Sequence, residues 1–265
     1  MPPLELPLGL GTSGLDDPAE CAATVTAALE AGYRHVDTAQ MYGNEAAVGE
    51  GITAADVDRD DVIVATKVHP DNLAPEDVRE TARESLDRLG LDRVDLLYAH
   101  WPTGAYDPAA TLPAFDALCE EGLTDHVGVS NFTPELFREA DQILDAPIAA
   151  HQVECHPQFQ QPALRELAAE RDHRLVGYSP LARGDLFDDD ELLAIADRHG
   201  LSPSILALGW AVARGVTPIP KATGNHVTEN LRAADAAVPE SALDAIDALE
   251  RGERRIDPDD AAWNR

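Results

Sequence analysis

The sequence alternates, eight times over, between a short apolar run and a longer amphipathic stretch. The apolar runs fall at 7–12, 35–39, 61–68, 93–101, 126–131, 148–155, 174–180 and 215–221. DVIVATKV over 61–68 is continuous and β-branched, as a strand buried on both faces should be. The stretches between carry helix-start signals. Asp17-Pro18, Thr133-Pro134 and Ser202-Pro203 each pair an N-cap residue with a proline at the first helical position. Helices are predicted from Pro18 to about Ala31, over 44–54, from Pro75 to Arg88 and from about Pro108 to Glu121. Others follow from Pro134, over 161–171, 188–199 and 203–213, and at about 226–234 and 239–251. Strict alternation predicts an α/β fold whose parallel strands close into a (β/α)8 TIM barrel. The 265 residues suit one such barrel, which typically takes about 250. No linker or low-complexity tract interrupts the pattern, so a single domain over 1–265 is expected.

Charge limits the partners. There are 49 acidic residues against 20 basic ones, for a net charge of −29. Such a surface repels nucleic acid and anionic membranes, and the acids are scattered rather than gathered in a tail. It resembles the halophilic, acidic surface of proteins from a salt-loaded cytoplasm, where the Debye length shortens to roughly 3 Å near 1 M salt. No apolar run reaches the roughly 18 residues of a membrane span, and the first residues lack the basic and apolar regions of a signal peptide. Cys21, Cys119 and Cys155 form no CxxC pair, which suits a reducing compartment. A cytoplasmic monomer acting on a small molecule is therefore expected. Lysine is rarer still: only Lys67 and Lys221 occur, all other basic residues being arginine.

In a parallel barrel the chemistry gathers at the carboxyl ends of the strands. Those ends carry Asp37, Lys67, His100, Ser130-Asn131, Gln152, Tyr178 and Lys221, with Tyr42 just beyond the second strand. A single polar strand end means little. An Asp, a Lys, a His and a Tyr together describe an acid–base site. Carbonyl reduction needs a hydride, which a nicotinamide cofactor supplies, and a proton, which the protein supplies. A free tyrosine, with a pKa near 10, is a weak acid at neutral pH. A neighbouring lysine cation is expected to lower that pKa, an aspartate to hold the lysine, and a histidine to orient the carbonyl.

Asp37 and Tyr42 in HVDTAQMYGNE, Lys67 in ATKV and His100 in YAHWP resemble the catalytic tetrad of the aldo-keto reductase family. VSNF, HQVECHP, GYSPLARG and IPKAT…EN resemble its cofactor motifs, in order, from LGLGT to the closing DP…W. The likeness is to the short-loop prokaryotic type. It implies that Tyr42 donates the proton, assisted by Lys67 and Asp37, while His100 orients the carbonyl. It implies that Ser130, Asn131 and Gln152 bind the nicotinamide carboxamide and that Tyr178 stacks on its ring. Ser179, Leu181 and the loop to Asp185 would follow the pyrophosphate. Lys221, Thr223, His226, Glu229 and Asn230 would surround the adenosine end. The family binds its cofactor without a GxGxxG motif, and none is present.

Some positions depart from the pattern. Ala222 replaces a frequent serine and His226 falls near a frequent arginine, both of which serve a 2′-phosphate in many members. NADPH is favoured and NADH is possible. Ser13 and His69 stand where aromatics are common, and the loop after Trp101 is short, so these three should line an open, rather polar substrate pocket. His151, Glu154 and His156 superficially suggest a metal, but 151 and 154 face opposite sides of a strand, and no metal is expected. Other readings remain open: a Schiff-base aldolase using Lys67, a non-catalytic nicotinamide-binding sensor or partner subunit on the same fold, and a binding module without cofactor. Each tetrad residue also has a structural reading, Lys67 as a plain ion pair with Asp37 among them.

Overall fold

The computed structural model describes Glu5, Leu6 and residues 8–264. Pro7, where the first predicted strand opens, lies outside the described residues. The strands are β1 (Leu10–Gly11), β2 (His35–Asp37), β3 (Ile63–Val68), β4 (Val94–Ala99), β5 (Thr124–Ser130), β6 (Ile148–Glu154), β7 (Arg174–Tyr178) and β8 (Val216–Pro218). They form one parallel sheet in sequential order. The helices are α1 (Pro18–Ala31), α2 (Glu45–Ala54), α3 (Pro75–Leu89), α4 (Pro108–Glu120), α5 (Pro134–Ile143) and α6 (Pro162–Arg171). Between β7 and β8 come α7 (Asp190–His199) and α8 (Pro203–Ala213), and after β8 come α9 (Asn225–Leu231) and α10 (Glu240–Asp247). The (β/α)8 expectation holds.

Proline opens α1, α3, α4, α5, α6 and α8, where its missing N–H has no intrahelical partner to lose. Asp17, Thr133 and Ser202 accept from Glu20 N, Leu136 N and Ile205 N as caps. Asp189 does the same for α7 through Leu192 N.

The sheet closes on itself at a narrow seam. Gly9 N donates to Pro218 O at 3.0 Å and Gly11 N to Pro220 O at 3.1 Å. Pro218 and Pro220 have no N–H to give back, so the ladder there is one-sided, whereas Ile219 N bonds to Gly177 O on the other flank at 3.0 Å. This explains why β1 and β8 are shorter than the apolar runs that contain them. Glycine permits the approach: a Cβ on Gly11 would lie 2.6 Å from Ile219 O. Inside the barrel, Ala65, Leu96, Tyr98, Ala150, Val176 and Ile219 form a small apolar plug. Tyr98 fits because Gly128 faces it, where a Cβ would meet the ring at 2.4 Å. The larger core, including Val64, Val68, Leu97 and Val129, packs between strands and helices. Alternation along β3 therefore turns Ala65 and Lys67 inward and Val64 and Val68 outward, which sends a lysine toward the barrel mouth.

Candidate active site

Asp37 ends β2, Lys67 is the penultimate residue of β3, and His100 follows β4. Tyr42 reaches them from a 3-10 turn, Gln40–Tyr42, closed by Gly43 at φ 66°. Two amides brace that turn. Gln40 donates to Thr81 O and Ser85 Oγ and accepts from His69 N at 2.9 Å and Asn72 Nδ2 at 3.0 Å. Asn44 donates to Thr12 O at 2.9 Å and Leu15 O at 3.3 Å and accepts from Thr38 Oγ1 at 2.9 Å. No periodicity singles out Gln40 or Asn44; the only sequence signal is their place on either side of Tyr42.

The Lys67 ammonium is fully buried and all three of its donors are engaged. It gives one hydrogen bond to the Asp37 carboxylate, one to Thr38 O at 2.8 Å and one to Tyr42 Oη at 3.3 Å. Burial alone would lower its pKa, but the Asp37 charge and then Tyr42 outweigh burial and hold it above the usual lysine value, so the cation persists. The other Asp37 oxygen accepts from Gln152 Nε2 at 2.7 Å.

Tyr42 corrects one expectation. Burial raises its pKa; Lys67 pulls it down, Asp37 pushes it up, and the net direction is upward. The lysine limits the rise without reversing it, because desolvation of the phenolate is the larger effect. His100 is driven far below its ordinary value by burial first and then by Lys67 and His69, so its ring is neutral. It meets the Tyr42 ring edge-on, with centroids 5.8 Å apart, and among the described residues its Nδ1 has no hydrogen-bond partner.

A second polar chain crosses the mouth. Tyr178 Oη donates to Asn131 Oδ1 at 2.8 Å, Asn131 Nδ2 to His100 O and Ser130 Oγ at 3.0 Å each, and Ser130 Oγ to Gln152 O at 2.9 Å. Asn131 takes a left-handed φ of 63° to turn off β5. Beyond β7 the chain is left-handed again at Ser179, Ala182 and Arg183, with φ of 48°, 48° and 58°.

Asp37, Tyr42, His100, Asn131, Gln152 and Tyr178 line a cavity of about 590 Å³, whereas Lys67 and Ser130 stand behind its wall. It runs on past Ser179, Leu181 and Arg183 to Lys221. Lys221 is exposed and, among the described residues, neither it nor Arg183 makes an ion pair. Asp185 does not line this cavity; its carboxylate holds Arg255 Nε at 2.6 Å. Thr223, His226, Glu229 and Asn230 also lie outside it, with His226 Nδ1 3.0 Å from Glu229 Oε2 and Asn230 buried.

Ser13 and Trp101 line the main cavity. His69 instead faces an adjoining chamber of about 560 Å³, which shares Met41, Trp101 and Ile256 with the first. Ile256 belongs to the irregular tail, whose sequence has no periodic signal. Trp263 in that tail packs against Trp101, with ring centroids 5.7 Å apart. Glu154 accepts from the tail backbone, and His156 Nε2 sits 2.9 Å from its carboxylate. His151 points elsewhere, against Phe137.

A closed parallel barrel with a buried Asp–Lys–Tyr chain and a neutral histidine at its mouth defines an acid–base barrel enzyme. Comparison with known proteins narrows the class. The model of the aldo/keto reductase family matches residues 7–251. An aldo-keto reductase of Mycobacterium marinum (strain ATCC BAA-535 / M) is 39% identical over 258 residues, 95% of this chain and 90% of that protein. A 2,5-diketo-D-gluconic acid reductase B of Corynebacterium sp. (strain SHS752001) is 39% identical over 92% of this chain and 89% of its own length. The crystal structure of an aldo-keto reductase from a Medee basin deep-sea metagenome library superposes with a TM-score of 0.91 at 32% identity, covering 96% of this chain and 95% of that one. Bombyx mori aldo-keto reductase in complex with NADP gives 0.88 at 30% identity over 96% and 92%. The chain belongs to the aldo/keto reductase family and is an NAD(P)H-dependent oxidoreductase. No helix among the described residues is long and apolar enough to cross a membrane.

Proposed function

We propose that this protein reduces small aldehydes or ketones, such as dicarbonyls and keto-sugars, to alcohols, with NADPH preferred and Tyr42 as the proton donor. The observation that carries this reading is the buried Asp37–Lys67–Tyr42 chain beside neutral His100 on the floor of one cavity. The cavity would take the nicotinamide and pyrophosphate part of a dinucleotide, with the adenosine end lying beyond Lys221. Among the described residues Arg183 and Lys221, on the cavity wall, make no ion pair, in a chain of net charge −29. Lys221 and Arg183 would hold phosphate, Tyr178 would lie on the nicotinamide ring, and Asn131, Ser130 and Gln152 would meet its carboxamide. Gln152 Nε2 already serves Asp37, so its carbonyl oxygen is the atom left to accept. When bound, the reduced nicotinamide supplies the hydride.

The protein's own groups do the rest. Tyr42, kept protonated by its raised pKa, passes the Oη proton to the carbonyl oxygen. The phenolate left behind faces the Lys67 cation, which Asp37 holds in place. Neutral His100 offers a ring N–H to the carbonyl and orients it. The whole chain is read as one barrel unit, acting as a monomer in the cytoplasm, with short loops and an acidic surface suited to high salt. Tyr42→Phe tests the assignment. The variant should lose about 10²–10⁴-fold in kcat while binding NADPH normally by fluorescence titration; wild-type turnover by it would refute the role.

A further inference from the structure

Residues 253–256 cross the barrel rim and deliver Ile256 to the wall shared by both chambers. Glu253 N donates to Gln158 O at 3.3 Å and Arg254 lies over the Phe159 and Trp263 rings. Two further devices act at Arg255 and Ile256. The first is Glu154, the last residue of β6 and fully buried. Its carboxylate oxygens accept from Arg255 N at 2.7 Å and Ile256 N at 2.9 Å. The second is the Arg255 side chain. Nε donates to Asp185 at 2.6 Å and Nη2 to Gln158 Oε1 at 2.5 Å, while Nη1 reaches back to Glu253 O at 3.2 Å. The Arg255 side chain is only 18% exposed. One planar cation thus ties together the segment after β6, the β7–α7 loop and the tail, a geometry that a fork of donors makes and an ammonium cannot.

The β7–α7 loop is the one that flanks the cofactor cleft through Ser179, Leu181 and Arg183. Its left-handed residues at 179, 182 and 183 are conformations that L-residues seldom adopt unless the surroundings fix them. Asp185, two residues on, is where the tail takes hold.

We propose that Arg255 is a positioning residue that fastens the wall at Ile256, shared by the main cavity and the adjoining chamber, to the loop beside the cofactor cleft, so that the two move together. The proposal rests on the cleft being the nicotinamide site. Filling the cleft then stiffens the tail, and a carbonyl large enough to touch Ile256 feels the joint where a very small one does not. The two devices are separable. Arg255→Met removes the tie to Asp185 but leaves both backbone N–H groups on Glu154. The tail stays folded back, and Arg251 still pairs with Asp189 at 2.7 Å where α7 begins, so only the part of the loop before Asp189 is freed.

The test uses Arg255→Met, Asp185→Asn and the double variant, with Arg171→Met as control. Arg171 pairs with Asp141 at 2.8 Å on the outer helices. Trypsin cleavage after Arg251 and Arg254 is followed by mass spectrometry, without and with NADP+. In the wild type NADP+ should slow tail cleavage about tenfold, the effect of one charged hydrogen-bonded contact. In either single variant the protection should fall below about twofold, and the double variant should be no worse than the singles, because both remove one joint. The KM for 4-nitrobenzaldehyde should rise about tenfold in Arg255→Met, with a much smaller change for methylglyoxal and in kcat. Arg171→Met should show neither change, whatever it does to Tm. Full NADP+ protection of the tail in Arg255→Met, or additive losses in the double variant, would overturn the joint alone. A wild type that neither binds NADP+ nor reduces any carbonyl would overturn the functional reading, and the joint with it.

Discussion

Lys67 and Lys221 use the same ammonium in opposite ways. Lys67 is sealed in the barrel with every donor engaged, one of them on the Tyr42 phenol 3.3 Å away. Lys221 stands exposed at the far end of the cleft with no ion pair among the described residues, ready for an arriving anion. A 2′-phosphate carries close to two negative charges, and a lysine grips it less firmly than an arginine fork. His226 adds little, because Glu229 sits 3.0 Å from its ring. Lys221→Met should therefore weaken NADPH binding about tenfold and NADH binding far less, with measurable NADH activity in the wild type. Dissociation constants for both cofactors at one fixed salt check this; equal losses would remove Lys221 from that role. The places of Asp37, Lys67 and His100 were legible in the sequence because a strand pattern that stops on a polar residue puts that residue at the mouth, whereas Tyr42, in a 3-10 turn beyond β2, was singled out by its nearness to that strand and by the family resemblance. Gln40, Asn44 and Arg255 were not, because their value lies in partners such as Thr81, Thr12 and Asp185, which no local pattern brings near.

Among the elements, helix starts were the most legible part, since a capping side chain followed by proline acts within one turn. The 3-10 segments at 40–42, 59–61, 70–72 and 182–188 escaped the pattern, being too short or too irregular to carry a period. Strand ends were overread at β1 and β8, where proline and glycine shape a one-sided seam rather than a regular ladder. The seam yields its own prediction. Gly11→Ala puts a methyl 2.6 Å from Ile219 O, a backbone atom that cannot swing aside. A urea melt should show a loss of about 1–3 kcal/mol, the usual cost of overpacking. An unchanged midpoint would mean that the barrel opens there at no cost.

At the scale of the molecule, acid is the stress to watch. His151 and His173 both pack against Phe137, and burial pushes their pKa values down to about 3 and about 4. Both rings fold as neutral bases, while the unfolded chain takes up protons near pH 6.5. Their contribution is complete above that pH and is lost as pH falls from about 6.5 toward 4, by about 1.4 kcal/mol per pH unit for each ring. Proton uptake also relieves the repulsion of a −29 charge, which acts in the opposite sense. Urea midpoints for the wild type and a His151→Phe/His173→Phe variant, taken from pH 7.5 to 5, separate the two effects. The wild-type curve should drop more steeply, and parallel curves would clear the histidines. The scarcity of lysine has a consequence for handling the molecule. With Lys67 enclosed, the side-chain chemistry of amine-reactive labels, crosslinkers and resins converges on Lys221, at the entrance to the cleft. A bead or dye coupled there would obstruct the cleft, and the rate of its coupling would report whether the cleft is already filled.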